Sequence, residues 1–583
     1  MVRHFIACTL FFFFASQVLR AQQRPIHLPE ADTQAVHWAD SVYASLDTSA
    51  KIGQLYMIAA YSGTEKFNQP LIEKLIQEEA IGGLIFMQGT PSAQAALLNR
   101  YQKMSTIPLW VAMDAEWGLG MRLTGVRDFP RQMMLGAVAD STLVYKMGSA
   151  IAEQCRLMGV QINFAPVADV NNNPLNPVIN SRSFGERKEK VTQFAIQYMT
   201  GLQENGVMAC AKHFPGHGDT DADSHQELPV IRKSKSELQN LELYPFRKLI
   251  DAGIQSVMVA HLQVPAIDSR EHIPTTLSEK AIGDVLRGEL QFEGLVFTDA
   301  LNMQGIAKYY SPGDIDLKAF LAGNDVLLFS QDVPAGKEKI RQALALGQIS
   351  EERLAYSVKK VLRAKYRFGL SKRDSLTSIN LEEQLNKTIV PLRTQIADAA
   401  ITLLQDPHQL LDKIKRKQDE AISYVGIGTD HENEFSLALR KQGITHPFFF
   451  TSGNGKARKK FLHKLHDAGL LIVGIHGMSP SAAAGYGLST DEMELLRELT
   501  STRKVVVVLF GNPYAIRNVC DEESTFLIGY DEAPETQLAM ARILHGEQKA
   551  RGRLPVTLCE KFKAGDGIVH KGLQANDLLL SVL

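Results

Sequence analysis

Between Asp47 and Leu370 a short apolar run alternates repeatedly with an amphipathic stretch, and this alternation limits the fold more than any other feature of the chain. The runs are IGGLIFM (Ile81 to Met87), PLWVAM (Pro108 to Met113), VQINFAP (Val160 to Pro166), VMACAKH (Val207 to His213), SVMVAH (Ser256 to His261), GLVFTD (Gly294 to Asp299) and DVLLF (Asp325 to Phe329), with a further one in QLYMIAAY (Gln54 to Tyr61). Strands that are apolar throughout have both faces covered, as in a parallel sheet with helices between its strands. The intervening stretches read as helices. Val191, Phe194, Ala195, Tyr198, Met199 and Leu202 recur at helical spacing before Gly206 stops the helix, and Ser278 is placed to cap the one carrying Ile282, Val285 and Leu286. Seven or eight such units predict a closed (β/α)8, TIM-like barrel, with an open doubly wound sheet as the rival. Polar residues favour closure: Asp114, Asp169, Lys212 with His213, His261 and Asp299 each end a run, and in a barrel those ends converge on one mouth.

The barrel is expected over residues 27–372. The polar stretch SKRDSLTSINLEEQLNK, with no apolar period, places a linker at 373–392. A smaller α/β sandwich domain follows over 393–562, with strands AITLL, ISYVGIG, LLIVGIHG, KVVVVLFG and STFLIGY, and 563–583 is left as a tail. At the other end, Arg3, an apolar stretch from Phe5 to Ala15 and the small Ala21 form a secretory signal peptide, residues 1–21, cleaved after Ala21. That predicts an exported protein, periplasmic or secreted. The apolar stretch is too short to span a bilayer, and no later segment is long enough, so no membrane span is expected.

Composition removes several classes of function. Lys and Arg number 63 against 64 Asp and Glu, so there is no cationic excess to bind nucleic acid. The five cysteines contain no CxxC pair and no dense disulfide pattern. Neither a phosphate-cradling GxGxxG or GxxxxGKS loop nor a GxSxG elbow stands in the required context. Oligomeric state is left open.

Chemistry is concentrated in KHFPGHGDTDADSH, Lys212 to His225, which packs three histidines, three aspartates and a lysine into one strand-to-loop segment. A metal site is the first rival reading, but Pro215 and Gly216 break the helix that would align His213 with His217. Asp299 in GLVFTDALNM is either a helix cap or a carboxylate aimed into the mouth. Together the two clusters suggest acid–base or nucleophilic work on a polar, uncharged substrate.

KHFPGHGDTDADSH followed by VFTDAL resembles glycoside hydrolase family 3, in its β-N-acetylglucosaminidase branch. LDTSAKIGQLYMIA, AIGGLIFM, NSRSFGE and VKKVLRAKYRFGL fit the family's barrel, and KVVVVLFGNPY with HGEQKARGRLPVTL fits its second domain. The resemblance implies a retaining exo-β-N-acetylglucosaminidase acting on a small carbohydrate or muropeptide, peptidoglycan fragments above all, with no metal or organic cofactor. It implies Asp299 as the nucleophile, His225 as the acid/base and Asp223 as the partner that orients the His225 ring. Asp114, Arg122, Arg182, Lys212 and His213 are implied to bind the hydroxyls of the terminal sugar.

Phosphorolysis of the same bond and a β-glucosidase activity are the alternatives within the family. A silent sugar-binding protein is disfavoured by the presence of all three catalytic matches. In many two-domain members the second domain supplies the acid/base. Here the loop already holds His225 and Asp223, so that domain is expected to support the barrel or line the entrance. DAEWGLGMR departs from the more glycine-rich turn of small members, which sets Trp117 beside the pocket.

Overall fold

The computed structural model describes residues 33–63, 66–222, 227–372, 374–377, 379–416, 421–444, 446–451, 453, 455–482, 484–520 and 523–568. Residues 1–21, expected from the sequence to be a signal peptide, the pair Asp223 and His225, and most of the 563–583 tail lie outside them.

Eight strands form the first sheet: β1 (Tyr56–Ser62), β2 (Gly83–Gly89), β3 (Trp110–Met113), β4 (Ile162–Asn163), β5 (Met208–Phe214), β6 (Ser256–Val259), β7 (Leu295–Thr298) and β8 (Leu327–Leu328). All pair in parallel, in the order β7-β6-β5-β4-β3-β2-β1-β8. The bridge between Phe297 and Val326, with Thr298 N–H donating to Val326 O at 3.1 Å, joins the two ends. The sheet is a closed barrel, not the open alternative.

Its interior is filled by inward residues of successive strands, among them Met57, Ile85, Trp110, Ile162, Phe164, Met208, Cys210, Met258, Leu295, Phe297 and Leu328. Phe297 sits at the centre of this plug, 5.3 Å from the Phe164 ring and 5.9 Å from that of Trp110. The helix read from Val191 to Leu202 spans Lys188–Gln203. Ser278 Oγ accepts from Ala281 N–H at the head of the helix Lys280–Glu289.

The seam between β7 and β8 is held from below by one buried carboxylate. Asp325 exchanges backbone contacts with Val296, accepts Val296 N–H at 3.1 Å on Oδ2, and takes hydrogen bonds from Arg287 (2.9 Å), Lys360 (3.3 Å) and Ser357 (2.5 Å). Burial alone would raise this carboxyl, but Lys360, Arg287 and Arg353 outweigh it and hold it below the usual carboxylate range.

Residues 373–392 are more than a tether. They contain the helix Leu381–Asn386, whose Leu381 and Leu385 are buried, while Gln154 donates to Leu385 O at 2.8 Å. The second domain has strands β9 (Thr402–Gln405), β10 (Ile422–Ile427), β11 (His446–Phe450), β12 (Leu470–Ile475), β13 (Val505–Leu509) and β14 (Thr525–Ile528). Their order is β11-β10-β12-β13-β14-β9, parallel except for β9 against β14. Strand β11, absent from the sequence reading, is an edge strand, where a sheet tolerates a proline such as Pro447.

A disulfide joins Cys520, after β13, to Cys559. Near it the chain crosses back to the barrel: Arg553 N–H bonds Ala137 O, and Pro555 O accepts Glu186 N–H at 3.1 Å. Among the described residues no helix is long and apolar enough to cross a membrane.

Removing the seam carboxylate strips the partly buried Arg287, Lys360 and Arg353, and the buried Val296 N–H, of their shared acceptor, which should cost about 1–3 kcal/mol. Asp325→Ala is therefore expected to move the urea midpoint sharply down. A midpoint within error of the parent would show that the seam is held by backbone pairing alone.

Candidate active site

Strand parity builds the mouth. Trp110 and Ala112, Met208 and Cys210, and Leu295 and Phe297 face the barrel interior, and one step further on the same parity stand Asp114, Lys212 and Asp299. Three ionisable groups from β3, β5 and β7 thus rise from one apolar floor.

Asp114 accepts from Lys212 Nζ at 2.8 Å and from Arg122 Nη2 at 2.8 Å. Burial would raise its carboxyl, but the two cations outweigh burial and hold it at about 2. Lys212 also reaches Glu116 at 2.9 Å. Glu116 is fully buried and is held far below the ordinary carboxylate range because Arg182 and Lys212 overcome its desolvation. Arg182 grips it with a fork, Nε to Oε2 at 3.0 Å and Nη2 to Oε1 at 2.7 Å. The same Arg182 Nη2 lies 3.2 Å from His213 Nε2, so that nitrogen accepts and Nδ1–H donates to Asp169 Oδ2 at 2.7 Å. The result is one unbroken chain of hydrogen bonds: Asp169, His213, Arg182, Glu116, Lys212, Asp114, Arg122. Within it three carboxylates balance three cations.

Asp169 Oδ1 also accepts the backbone N–H of His213 at 3.2 Å and of His217 at 2.7 Å. Burial, with His213 close by, pushes His217 down to about 4, so it is neutral at ordinary pH. Its Nδ1 pairs with Thr220 Oγ1 at 2.9 Å. The two histidines are therefore committed to Asp169 and Thr220, and among the described residues no cluster of three metal-ligating side chains occurs.

Asp299, only partly buried, closes β7 with its N–H on Val259 O, and its Oδ1 accepts Ala300 N–H at 2.8 Å. His261 fixes the next peptide through Nε2–H to Ala300 O at 2.9 Å, with Nδ1 on Thr276 Oγ1 at 2.7 Å. The described residues on both sides of segment 223–226 are anchored. Asn176 Nδ2 donates to His217 O and Gly218 O, Lys233 Nζ lies 2.8 Å from Asp219, and Ile231 N–H bonds Gln263 O.

The structure thus brings Asp114, Arg122, Arg182, Lys212 and His213 into one network and sets Asp299 at the same mouth. Glu116 and the role of Asp169 escaped the sequence reading. Trp117 lines a cavity of about 290 Å³ between the barrel and the second domain, its ring under the Arg131 guanidinium at 4.2 Å.

The site is a charge-balanced mouth on a parallel barrel, with the Asp299 carboxylate set beside three cations and three further carboxylates. The chain belongs to glycosyl hydrolase family 3: residues 47–364 match the family model described as its N terminal domain. It is a glycoside hydrolase. It is 27% identical to Beta-hexosaminidase A of Pseudoalteromonas piscicida, over 89% of this chain and 98% of that one. A Beta-hexosaminidase of Nitrosospira multiformis is 34% identical over 46% of this chain and 78% of its own. The solved glycoside hydrolase family 3 beta-N-acetylglucosaminidase of Paenibacillus sp. str. FPU-7 superposes with a TM-score of 0.73 at 31% identity, covering 88% of this chain and 99% of that one.

Glu116→Gln keeps the volume and removes the charge that Arg182 and Lys212 share. Hydrogen bonds to charged groups contribute about 1.5–3 kcal/mol, so kcat/KM on an aryl glycoside should fall roughly 10- to 100-fold. An unchanged value would mean the network is scaffolding only. Asp114, held at about 2 against an ordinary value near 3.9, contributes its stability in full above about pH 4, and that contribution is lost as the pH falls through about 2.

Proposed function

We propose that the enzyme is a retaining, exo-acting β-N-acetylglucosaminidase that removes terminal β-linked N-acetylglucosamine from peptidoglycan fragments outside the cytoplasm. The observation that carries this reading is the pairing of Asp299, at the inward parity of β7, with the balanced network from Asp169 to Arg122 at the same mouth. A buried Nε–H of Arg122 has no partner among the described residues and is a donor left for a sugar hydroxyl. The Cys520–Cys559 disulfide supports an oxidising compartment, in keeping with the leader at residues 1–21.

In the proposed reaction Asp299 attacks the anomeric carbon as His225 delivers a proton to the departing glycosidic oxygen, giving a covalent glycosyl-enzyme. His225 then takes a proton from water, which attacks the same carbon and releases the sugar with retained configuration. Asp223 orients the ring by accepting from one imidazole nitrogen. A histidine suits this double duty because its ordinary pKa, near 6.5, lies close to neutral.

Turnover of an aryl β-N-acetylglucosaminide well above that of the matching β-glucoside is expected. A preference for the glucoside, or a sugar 1-phosphate as the main product in phosphate buffer, would overturn the reading. Asp299→Ala should abolish turnover with the fold intact, and a slow 2-fluoro glycoside should label Asp299 and no other carboxylate. His225→Ala should nearly stop cleavage of a disaccharide yet give a burst of nitrophenol from an activated glycoside, followed by a slow phase that azide accelerates. Equal slowing of both substrates with no response to azide would remove His225 from the acid/base role.

A further inference from the structure

Arg182 is the hinge of the network, since among the described residues it is the side chain that links Glu116 to His213. It stands at the end of a single turn, Asn180–Arg182, whose first residue is a non-glycine in the left-handed region, Asn180 at φ +39°. Asparagine tolerates that region better than most residues, but something must still select it. Inside the barrel Asn180 Nδ2 reaches Asn176 O at 3.4 Å, and the shorter contacts of this side chain come from the other domain. Asn512 Nδ2 donates to Asn180 Oδ1 at 2.5 Å, and Asn180 Nδ2 donates to Tyr486 Oη at 3.2 Å. Tyr486 in turn donates to Pro174 O at 3.1 Å, and Tyr514 Oη accepts from Asn171 Nδ2 at 3.1 Å. Asn180, Asn512 and Tyr486 are all buried, so these amide and hydroxyl bonds form away from water and are costly to leave unmade.

The far side of the same segment is fastened as well. Thr557 gives its N–H (2.7 Å) and its hydroxyl (2.6 Å) to the two oxygens of the Glu186 carboxylate.

We infer that Asn512 and Tyr486 are positioning residues for the glycosidase reaction: acting through Asn180, they set the turn that aims the Arg182 fork between Glu116 and His213. Neither residue is within hydrogen-bonding distance of the network. The inference rests on the proposed reading of that network as the sugar site. It gives the second domain a part in sugar binding without contributing a group to the chemistry.

The test is a double-mutant cycle on the full-length enzyme, read as KM and kcat on whichever aryl glycoside the wild type turns over. A wrong sugar assignment then fails on the wild type alone and leaves the cycle readable. Asn512→Ala should raise KM about tenfold with a smaller change in kcat, because the sugar site is misaligned while Asp299 is untouched. Asn180→Gly keeps access to the left-handed turn without needing side-chain support. On that background Asn512→Ala should therefore add less than twofold. Tyr486→Phe, which removes one hydroxyl and keeps the ring, should raise KM severalfold and decides the matter if Asn512→Ala does not fold. Independent, multiplying effects of Asn512→Ala and Asn180→Gly, or an unchanged KM in Tyr486→Phe, would overturn the inference.

Discussion

Everything at the barrel mouth depends on one constraint: three carboxylates and three cations must be taken out of water together or not at all. Glu116 alone would be intolerable where it lies, and so would Lys212, since each is almost wholly enclosed. Joined through Asp114, Arg182 and Arg122 they cancel, and the cancellation holds only while β3, β5 and the turn at Asn180 keep their mutual spacing. The interior plug around Phe297 supplies that spacing from below. Packing therefore sets the electrostatics of the mouth.

Much of this was legible in the residues themselves. A strand buried on both faces reads as an unbroken apolar run, so the eight barrel strands announced themselves, and the polar residues that end five of the runs marked the mouth. Strand parity explains why Asp114, Lys212 and Asp299 were found: their direction is set by the residues two and four places earlier. Glu116 lies three residues past β3 and Asp169 six past β4, too far for parity to aim them, so Glu116 was not named and Asp169 was placed at the mouth without its partner His213. Asp169 reaches His213 only because the chain continues beside β5, with Ala168 N–H on Lys212 O, and nothing local encodes that. In the second domain Pro447 hid an edge strand. The stretch 373–392 looked featureless because its buried Leu381, Leu385, Ile389 and Leu392 are spread over two short helices rather than one.

The second domain is more than ballast. Its sheet runs β11-β10-β12-β13-β14, so the order reverses beside β10, and the loops at the carboxyl ends of β12 and β13 turn toward the barrel. Open α/β sheets ordinarily use that edge to hold a ligand. Here the loop after β13 delivers Asn512 and Tyr514 to the barrel loop between Asn171 and Asn180, so part of an edge that could have formed a site of its own has been turned to holding another.

The Glu186 clamp also orders events in time. Thr557 lies 371 residues after the carboxylate it grips, and Asn512 lies 332 after Asn180. A nascent chain that has already completed its barrel still lacks both fasteners, and the Cys520–Cys559 bond that staples the returning segment forms only in an oxidising environment. The turn that carries Arg182 thus gains its full set of contacts only once the second domain and the returning segment are present.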